Sequence, residues 1–488
     1  MTRTHAVAAC LLGLWAAQVH LTWSSSVDDA WISARYAEHI AAGLGPTFST
    51  DGPAVEGFTN PAWVVMLAVA SAFQVDLPTF LPWAGAASGL AAIFAATSLT
   101  WQLTGCRIRS GCVMAALCFD PHLAISATNG LESAAYAAAL AWGATALIRP
   151  GSTAFRAGLA ATLRPEGVVL AGLVALDALR RRRWRAAASA CALPAAIGVW
   201  RLATYGTWVP NTFVAKTIDP LLDRWRVTAN LMGPWEVAWW TALFAVALLG
   251  LFHPRTRLLG LGAVGLALPT LSVMEWMPAG RLYLPLLVLG VPVFGALAPR
   301  WAAFVTLLPL LWAVAPPGQA LRRYDARHSV VLPNDLARSG EWLAEHLPPG
   351  SRLWTRDAGV LAWSVGPSVA VVELHEDALT RLHPGGASFT PAVVPTNPEV
   401  LAQTVQRVDA PGSRYGNDRV AGQLLTVPYA YIGRVHQHED RYVDVYVRAD
   451  LALPEAPPAW ITHRKGPHSP VGSRQRASRS LPPSPSRE

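Results

Sequence analysis

The chain has 488 residues, 52% of them hydrophobic and 14% charged, with a net charge of +8 and a mean hydropathy of +0.30. Soluble proteins carry about 25% charged residues, so an ordinary soluble class is excluded. Several apolar runs of about 18 residues or more, each able to cross a hydrocarbon core about 30 Å thick, make this a polytopic membrane protein.

The N-terminal run "MTRTHAVAACLLGLWAAQVHLTW" has the basic, apolar and small residues of a signal peptide but no convincing cleavage site. It reads as an uncleaved first span over 5–23. Further spans are expected at 79–101, 111–127, 133–148, 155–163, 168–179, 186–203, 236–253, 257–276, 281–297 and 300–315, about 11 in all. Counting 61–76 as another would put "GCRIRS" outside, against the positive-inside tendency. That run is therefore expected to lie as a helix in the outer interface.

In "FRAGLAATLRPEGVVLAGLVALDALR", Arg164 and Glu166 flank Pro165 inside an apolar stretch. Proline breaks the hydrogen-bond ladder and restricts its predecessor, so a break is expected near Arg164. With these choices "GCRIRS", "RPGSTAFR", "RRRWR", "HPRTR" and "APR" fall inside. The basic excess lies in such loops and in the tail rather than on one face, so no nucleic-acid partner is expected.

From about residue 318 the composition turns polar. "LARSGEWLAEHLPPGSRLW" reads as an amphipathic helix, a turn and a strand, and "PSVAVVEL" and "RYVDVYVRAD" as strands. The expected organisation is a transmembrane domain over 1–317, a small extracytoplasmic α/β domain over 318–450, and a disordered basic Pro/Ser-rich tail over 451–488. The five cysteines all fall in or beside apolar runs, so no disulfide framework is encoded in the polar part.

Charges near a membrane core are costly and mark function or a paired structural role. Here they gather on the outer side: Asp28, Asp29, Arg35, Glu56 and Asn60 in the first loop, then Asn129, Glu132, Arg164, Glu166, Asn211, Lys216 and Arg281. One acid can cap the helix that begins at "SSVDDAWISARYAEHI", but two adjacent ones cannot both do so. Packing them together raises the proton affinity of at least one, as a general base requires. The residues themselves do not choose between Asp28 and Asp29. Arg164, Lys216 and Arg281 form a candidate pocket for an anionic leaving group such as phosphate. No Walker loop, HExxH or CxxC occurs, and His375, Glu376 and Asp377 diverge as neighbours, so neither cofactor nor metal is expected.

The stretch "DDAWISARYAEHIAAGLGPTFSTDGPAVEGFTNPAW" resembles the first external loop of bacterial GT-C membrane glycosyltransferases, most closely the terminal arabinofuranosyltransferase group. Asp28, Asp29, Ala30, Arg35, Tyr36, Ala37, Val55, Glu56, Gly57, Phe58, Thr59, Asn60 and Trp63 carry the likeness. "NGLES", "LRPEG", "YGTWVPNTFVAKT" and "GRLYLPLL" follow in the same order, so the likeness covers roughly residues 20 to 300. The segment 357–379 is only loosely similar.

The resemblance implies a mainly α, GT-C type enzyme of the plasma membrane that takes a sugar from a polyprenyl-phosphate donor. A first-loop acid acts as base on the acceptor hydroxyl, and the anomeric carbon is inverted at the outer face. The acceptor would be a cell-envelope glycan or lipid, and the resemblance extends to a pentose such as arabinofuranose as the donor sugar. Arg35, Tyr36, Glu56, Asn60, Asn129, Glu132, Glu166 and Asn211 are the candidates for holding sugar or acceptor. A transporter or flippase of lipid-linked saccharides would also want intramembrane charges, but near the midplane and often in repeated halves. No repeat is evident, and the charges crowd one face.

Overall fold

The computed structural model describes residues 3–23, 26–50, 54–148, 154–210, 212, 234–268, 278–299, 332, 334–355, 359–373, 400–406, 429–438, 441–451 and 453. Asn211, Lys216, residues 375–377, the expected span at 300–315 and the tail lie outside them.

The chain is mainly helical. The helices are α1 (Arg3–Leu21), α2 (Asp28–Ala41), α3 (Pro61–Ala72), α4 (Leu77–Thr104), α5 (Arg107–Phe119), α6 (Pro121–Thr128) and α7 (Ser133–Ile148). They continue as α8 (Phe155–Leu163), α9 (Val168–Arg180), α10 (Trp184–Tyr205), α11 (Pro234–Leu251), α12 (Arg257–Ala267) and α13 (Val291–Leu297). A 3-10 turn, Pro278–Tyr283, and a π-helical turn, Leu286–Gly290, lead into α13.

Among the described residues, three helical segments are long and apolar enough to cross a membrane: Leu77–Thr104, Trp184–Tyr205 and Gly280–Leu297. The pair α5 and α6 meets the same test as one span bent by 56°. Pro121 starts the second half, and Asp120 Oδ1 accepts the N–H groups of His122 and Leu123 at 3.0 and 3.1 Å. The remaining apolar helices are shorter.

The packing has membrane character. In α4 the buried positions include Gly85, Gly89, Ala92, Ala95 and Ala96, while Trp83, Phe94 and Trp101 are exposed. Small residues inward let backbones approach, and large apolar residues face outward where lipid would lie. At Gly85 a Cβ would collide with the carbonyl oxygen of Ala127, so α4 and α6 touch backbone to backbone.

The helix break falls at Arg164. Its backbone is extended (φ −153°, ψ 140°) between α8 and a short 3-10 turn, Pro165–Gly167, before α9 resumes. The Arg164 side chain thus projects from the point where the ladder is interrupted, and it is buried.

The C-terminal part holds α14 (Asp335–His346), β1 (Arg352–Thr355), α15 (Val360–Ser364), β2 (Ala370–Glu373), β3 (Val400–Gln406), β4 (Tyr429–His438) and β5 (Arg441–Arg448). These strands form one mixed sheet of order β2-β1-β3-β5-β4. β1 runs parallel to β2 and β3, whereas β5 runs antiparallel to β3 and β4. Val443, Val445 and Val447 of β5 are buried, as the alternation in "RYVDVYVRAD" requires.

Candidate active site

The site is built around α2. The N–H of Val27 bonds the carbonyl of Asn129 at 3.0 Å, which pins the start of this helix to the turn after α6. Asn129 serves that turn, its Oδ1 accepting the N–H of Leu131 at 3.0 Å. Trp63 Nε1 donates to the Gly130 carbonyl at 3.2 Å and ties α3 to the same corner.

A continuous polar chain then crosses from α2 to the broken helix. Asn60 Nδ2 donates to Glu132 Oε2 at 2.7 Å and to Ser33 Oγ at 3.3 Å. Arg164 bridges Glu132 Oε1 at 2.9 Å and Glu166 Oε1 at 3.3 Å, with its guanidinium 5.8 Å from the Tyr136 ring centroid. Arg281, from the 3-10 turn before α13, acts electrostatically on Glu166. Asn60, Glu132, Arg164 and Arg281 are all buried. Four segments far apart in sequence, those of Ser33, Asn60, Glu132 and Arg164, thus meet, and two acids share Arg164. Sharing Arg164 between the two acids offsets part of the cost of burying these charges, while Glu166 Oε2 has no hydrogen-bond partner among the described residues.

The return of the first loop is held separately. Arg201 Nε lies 2.8 and 2.9 Å from the two carboxylate oxygens of Glu56. Tyr36 donates to the Val55 carbonyl at 2.6 Å and accepts the N–H of Gly57 at 2.9 Å, and Tyr205 donates to Pro46 O at 2.8 Å. Phe58 packs between Tyr36 and Trp200. Burial pushes the Glu56 carboxyl up to about 7, with the Arg201 charge pulling it back. His39, buried on the same helix beside Thr47, is drawn down to about 4 by burial, and the Arg35 charge adds to the effect.

Asp28 and Arg35 face the C-terminal part. Asp28 accepts the N–H groups of Gly359 and Val360 at 3.1 and 2.9 Å. Arg35 donates to the carbonyls of Phe48, Ala362, Gly366 and Val369. Asp29 is half-buried and shares its stripe of α2 with Ser33 and Tyr36, positions one and two helical turns on. That stripe meets the Asn60–Glu132–Arg164 chain through Ser33.

Of the residues expected from the sequence, Asn60, Glu132, Arg164, Glu166 and Arg281 converge, with Asp29 on the adjoining face. Glu56, Tyr36 and Asn129 hold the loop and turn, and Asp28 and Arg35 bind the C-terminal part. Arg201 was missed, although an arginine inside an apolar stretch, here "AAIGVWRLATYG", is itself a signal. Also missed was the buried group of His122 with Asp120 at 3.3 Å and Glu236 at 3.6 Å, under the Trp240 ring. Among the described residues no group of three or more His, Cys, Asp or Glu is arranged to hold a metal ion.

No protein-family model matches the chain. Over 393 residues it is 27% identical to the terminal beta-(1->2)-arabinofuranosyltransferase of Mycobacterium tuberculosis, covering 69% of this chain and 58% of that protein. It is 25% identical over 357 residues to the enzyme of the same name from Corynebacterium glutamicum, covering 59% of this chain and 50% of that protein. The chain thus spans between half and three-fifths of these relatives' length. ArnT from Cupriavidus metallidurans bound to undecaprenyl phosphate superposes with a TM-score of 0.54 at 14% identity, over 92% of this chain and 99% of ArnT. The Archaeoglobus fulgidus oligosaccharyltransferase in complex with Zn and sulfate superposes with a TM-score of 0.50 at 13% identity, over 88% of this chain and 72% of that one. The protein has the fold of the GT-C membrane glycosyltransferases, and its sequence is similar to the terminal arabinofuranosyltransferases among them.

Proposed function

We propose that this protein is an inverting glycosyltransferase that moves arabinofuranose from a polyprenyl-phosphate donor to a cell-envelope glycan or lipid. The reaction would take place at the outer face of the plasma membrane, with the C-terminal part on the same side. The observation that carries the reading is the buried chain Ser33–Asn60–Glu132–Arg164–Glu166, assembled from distant segments beside the stripe of Asp29. The arabinofuranosyltransferase relatives support the sugar, and the ArnT bound to undecaprenyl phosphate supports the lipid carrier.

In this mechanism Asp29 takes the proton of the acceptor hydroxyl as its oxygen attacks the anomeric carbon. The bond from that carbon to the phosphate oxygen breaks in line, and polyprenyl phosphate leaves with the electron pair. Inversion follows from a single displacement. Arg281 and Arg164 would face the phosphate, and their charge is held ready by Glu132 and Glu166 rather than reorganised during reaction. Asn60 and Glu132 would exchange part of their mutual bonding for sugar hydroxyls. A lipid-borne donor also gives a reason for building the site inside a membrane protein. A transporter would need its charges near the midplane and two alternating packings, for which no repeat provides.

The test is transfer by the purified protein in lipid nanodiscs, from a short-chain polyprenyl-phosphoryl arabinofuranose to a synthetic oligoarabinofuranoside. Asp29→Asn should lower the rate about 10²–10⁴-fold, the range for loss of a general base. The product should carry the anomeric configuration opposite to the donor's. Retention of configuration, or an Asp29→Asn enzyme as fast as the parent, defeats the mechanism.

A further inference from the structure

One face of α2 is committed to the C-terminal part. Residues 28, 31, 35 and 38 recur at spacings of three, four and three, which places them on a single stripe of a 3.6-residue helix. Every one of them meets α15 or its flanks. The two carboxylate oxygens of Asp28 accept the N–H groups of Val360 and Gly359 at the start of α15. The Trp31 ring lies 4.4 Å from that of Trp363. Arg35 donates to Ala362, and to Gly366 and Val369 at 3.0 and 2.9 Å, beyond the other end of the same helix. Glu38 accepts from Trp363 Nε1 at 2.8 Å.

The signs are matched to the ends: the anion receives amides at the start of α15, and the cation meets carbonyls at its finish. Hydrogen bonds with one ionised member are roughly twice as strong as neutral ones. Arg35 is 1% exposed, and a cation so buried is tolerated only when its donors are satisfied. The approach leaves no room for error, because a Cβ on Gly359 would collide with the backbone oxygen and the carboxylate of Asp28.

We infer that Asp28 and Arg35 are positioning residues that clamp the two ends of α15, so that the C-terminal part and the helix carrying Asp29 hold one orientation. This rests on the reading of Asp29 as the base, and it divides the adjacent acids between two duties. Asp28 turns toward α15 and is occupied there. Asp29, one residue on, lies on the side of α2 that runs through Ser33 to the buried polar chain. The C-terminal part is then a wall of the catalytic centre, and loosening it tilts Asp29 away from the acceptor.

The experiment combines amide hydrogen exchange over residues 359–369 with transfer from the same polyprenyl-phosphoryl arabinofuranose, both in nanodiscs. Asp28→Ala and Gly359→Ala should each raise exchange in that segment about tenfold, the expected consequence of losing about 1.4 kcal/mol of hydrogen bonding. Each should lower kcat by up to about 10²-fold, the cost of an ångström-scale misplacement. Asp28→Asn, which keeps an acceptor oxygen, should recover most of both. Asp29→Asn should leave exchange as in the parent while transfer is lost.

Should Asp28→Ala not fold, Trp363→Phe removes the N–H given to Glu38 and shortens the ring against Trp31, and must raise exchange in the same segment by a smaller factor. Unchanged exchange in Asp28→Ala, or in Trp363→Phe where Asp28→Ala does not fold, overturns the clamp. So does an Asp28→Asn enzyme with parental exchange and transfer as poor as that of Asp29→Asn, because Asp28 would then act in the chemistry. If the parent transfers nothing from this donor, the functional reading falls, while the exchange results still decide the clamp.

Discussion

At the residue scale, the Glu56–Arg201 pair carries a stability prediction. Both side chains are buried, 2% and 6% exposed, and they join residues 145 positions apart. Removing one member of a buried pair strands the other and costs about 3–5 kcal/mol, whereas replacing both with apolar groups of similar volume is often neutral. Arg201→Ala should therefore lower the apparent melting temperature sharply, and Arg201→Met with Glu56→Leu should restore much of it, as thermal unfolding in detergent will report. His39 makes a pH prediction. Burial holds its folded value near 4, below the ~6.5 of an unfolded histidine. Its contribution to stability is then complete above about 6.5 and is lost as the pH falls toward 4, because only the unfolded chain takes up the proton. His39→Gln should flatten that acid limb in melting curves taken between pH 7 and 4.

At the element scale, two broken helices carry the polar groups. Pro165, with no N–H to donate, ends α8 at Arg164 before α9 resumes, and Pro121 with Asp120 turns α5 into α6. Breaks of this kind are tolerated in a membrane protein where the freed backbone is buried in protein and satisfied there. The α4–α6 contact fixes the second break. Gly85→Val would force α4 away from the Ala127 carbonyl and push the Asn129 turn off the start of α2. Overpacking of this sort costs about 1–3 kcal/mol. The variant should melt earlier and transfer more slowly than the parent, and an unchanged melting temperature would contradict the close approach.

At the scale of the whole molecule, the basic loops predict an orientation. The arginines at 180–183, between α9 and α10, should face the cytoplasm, and α14 the opposite side. In a cysteine-free background, Arg182→Cys should react with an impermeant maleimide only in inside-out vesicles. Glu345→Cys, on the exposed side of α14, should react only in right-side-out ones. Labelling of both from one side would refute the arrangement.

Local pattern sufficed for much of this. Apolar runs defined the helices, Pro165 announced the break at Arg164, and alternation in 441–448 marked β5, because hydrophobic burial and proline geometry act within a few residues of chain. The motif from Asp28 to Trp63 likewise singled out the first loop. Pairing was not legible. Nothing near Glu56 announces Arg201, and nothing near Asp28 announces Gly359, 331 residues away. Adjacent aspartates look equivalent along the chain, yet each step of a helix turns the side chain by about 100°. The sequence alone determined that a membrane protein would gather acids and arginines beside α2. Only the tertiary structure decided that Asp28 holds the C-terminal part while Asp29 shares the other stripe with Ser33, since that depends on what packs against each face of the helix.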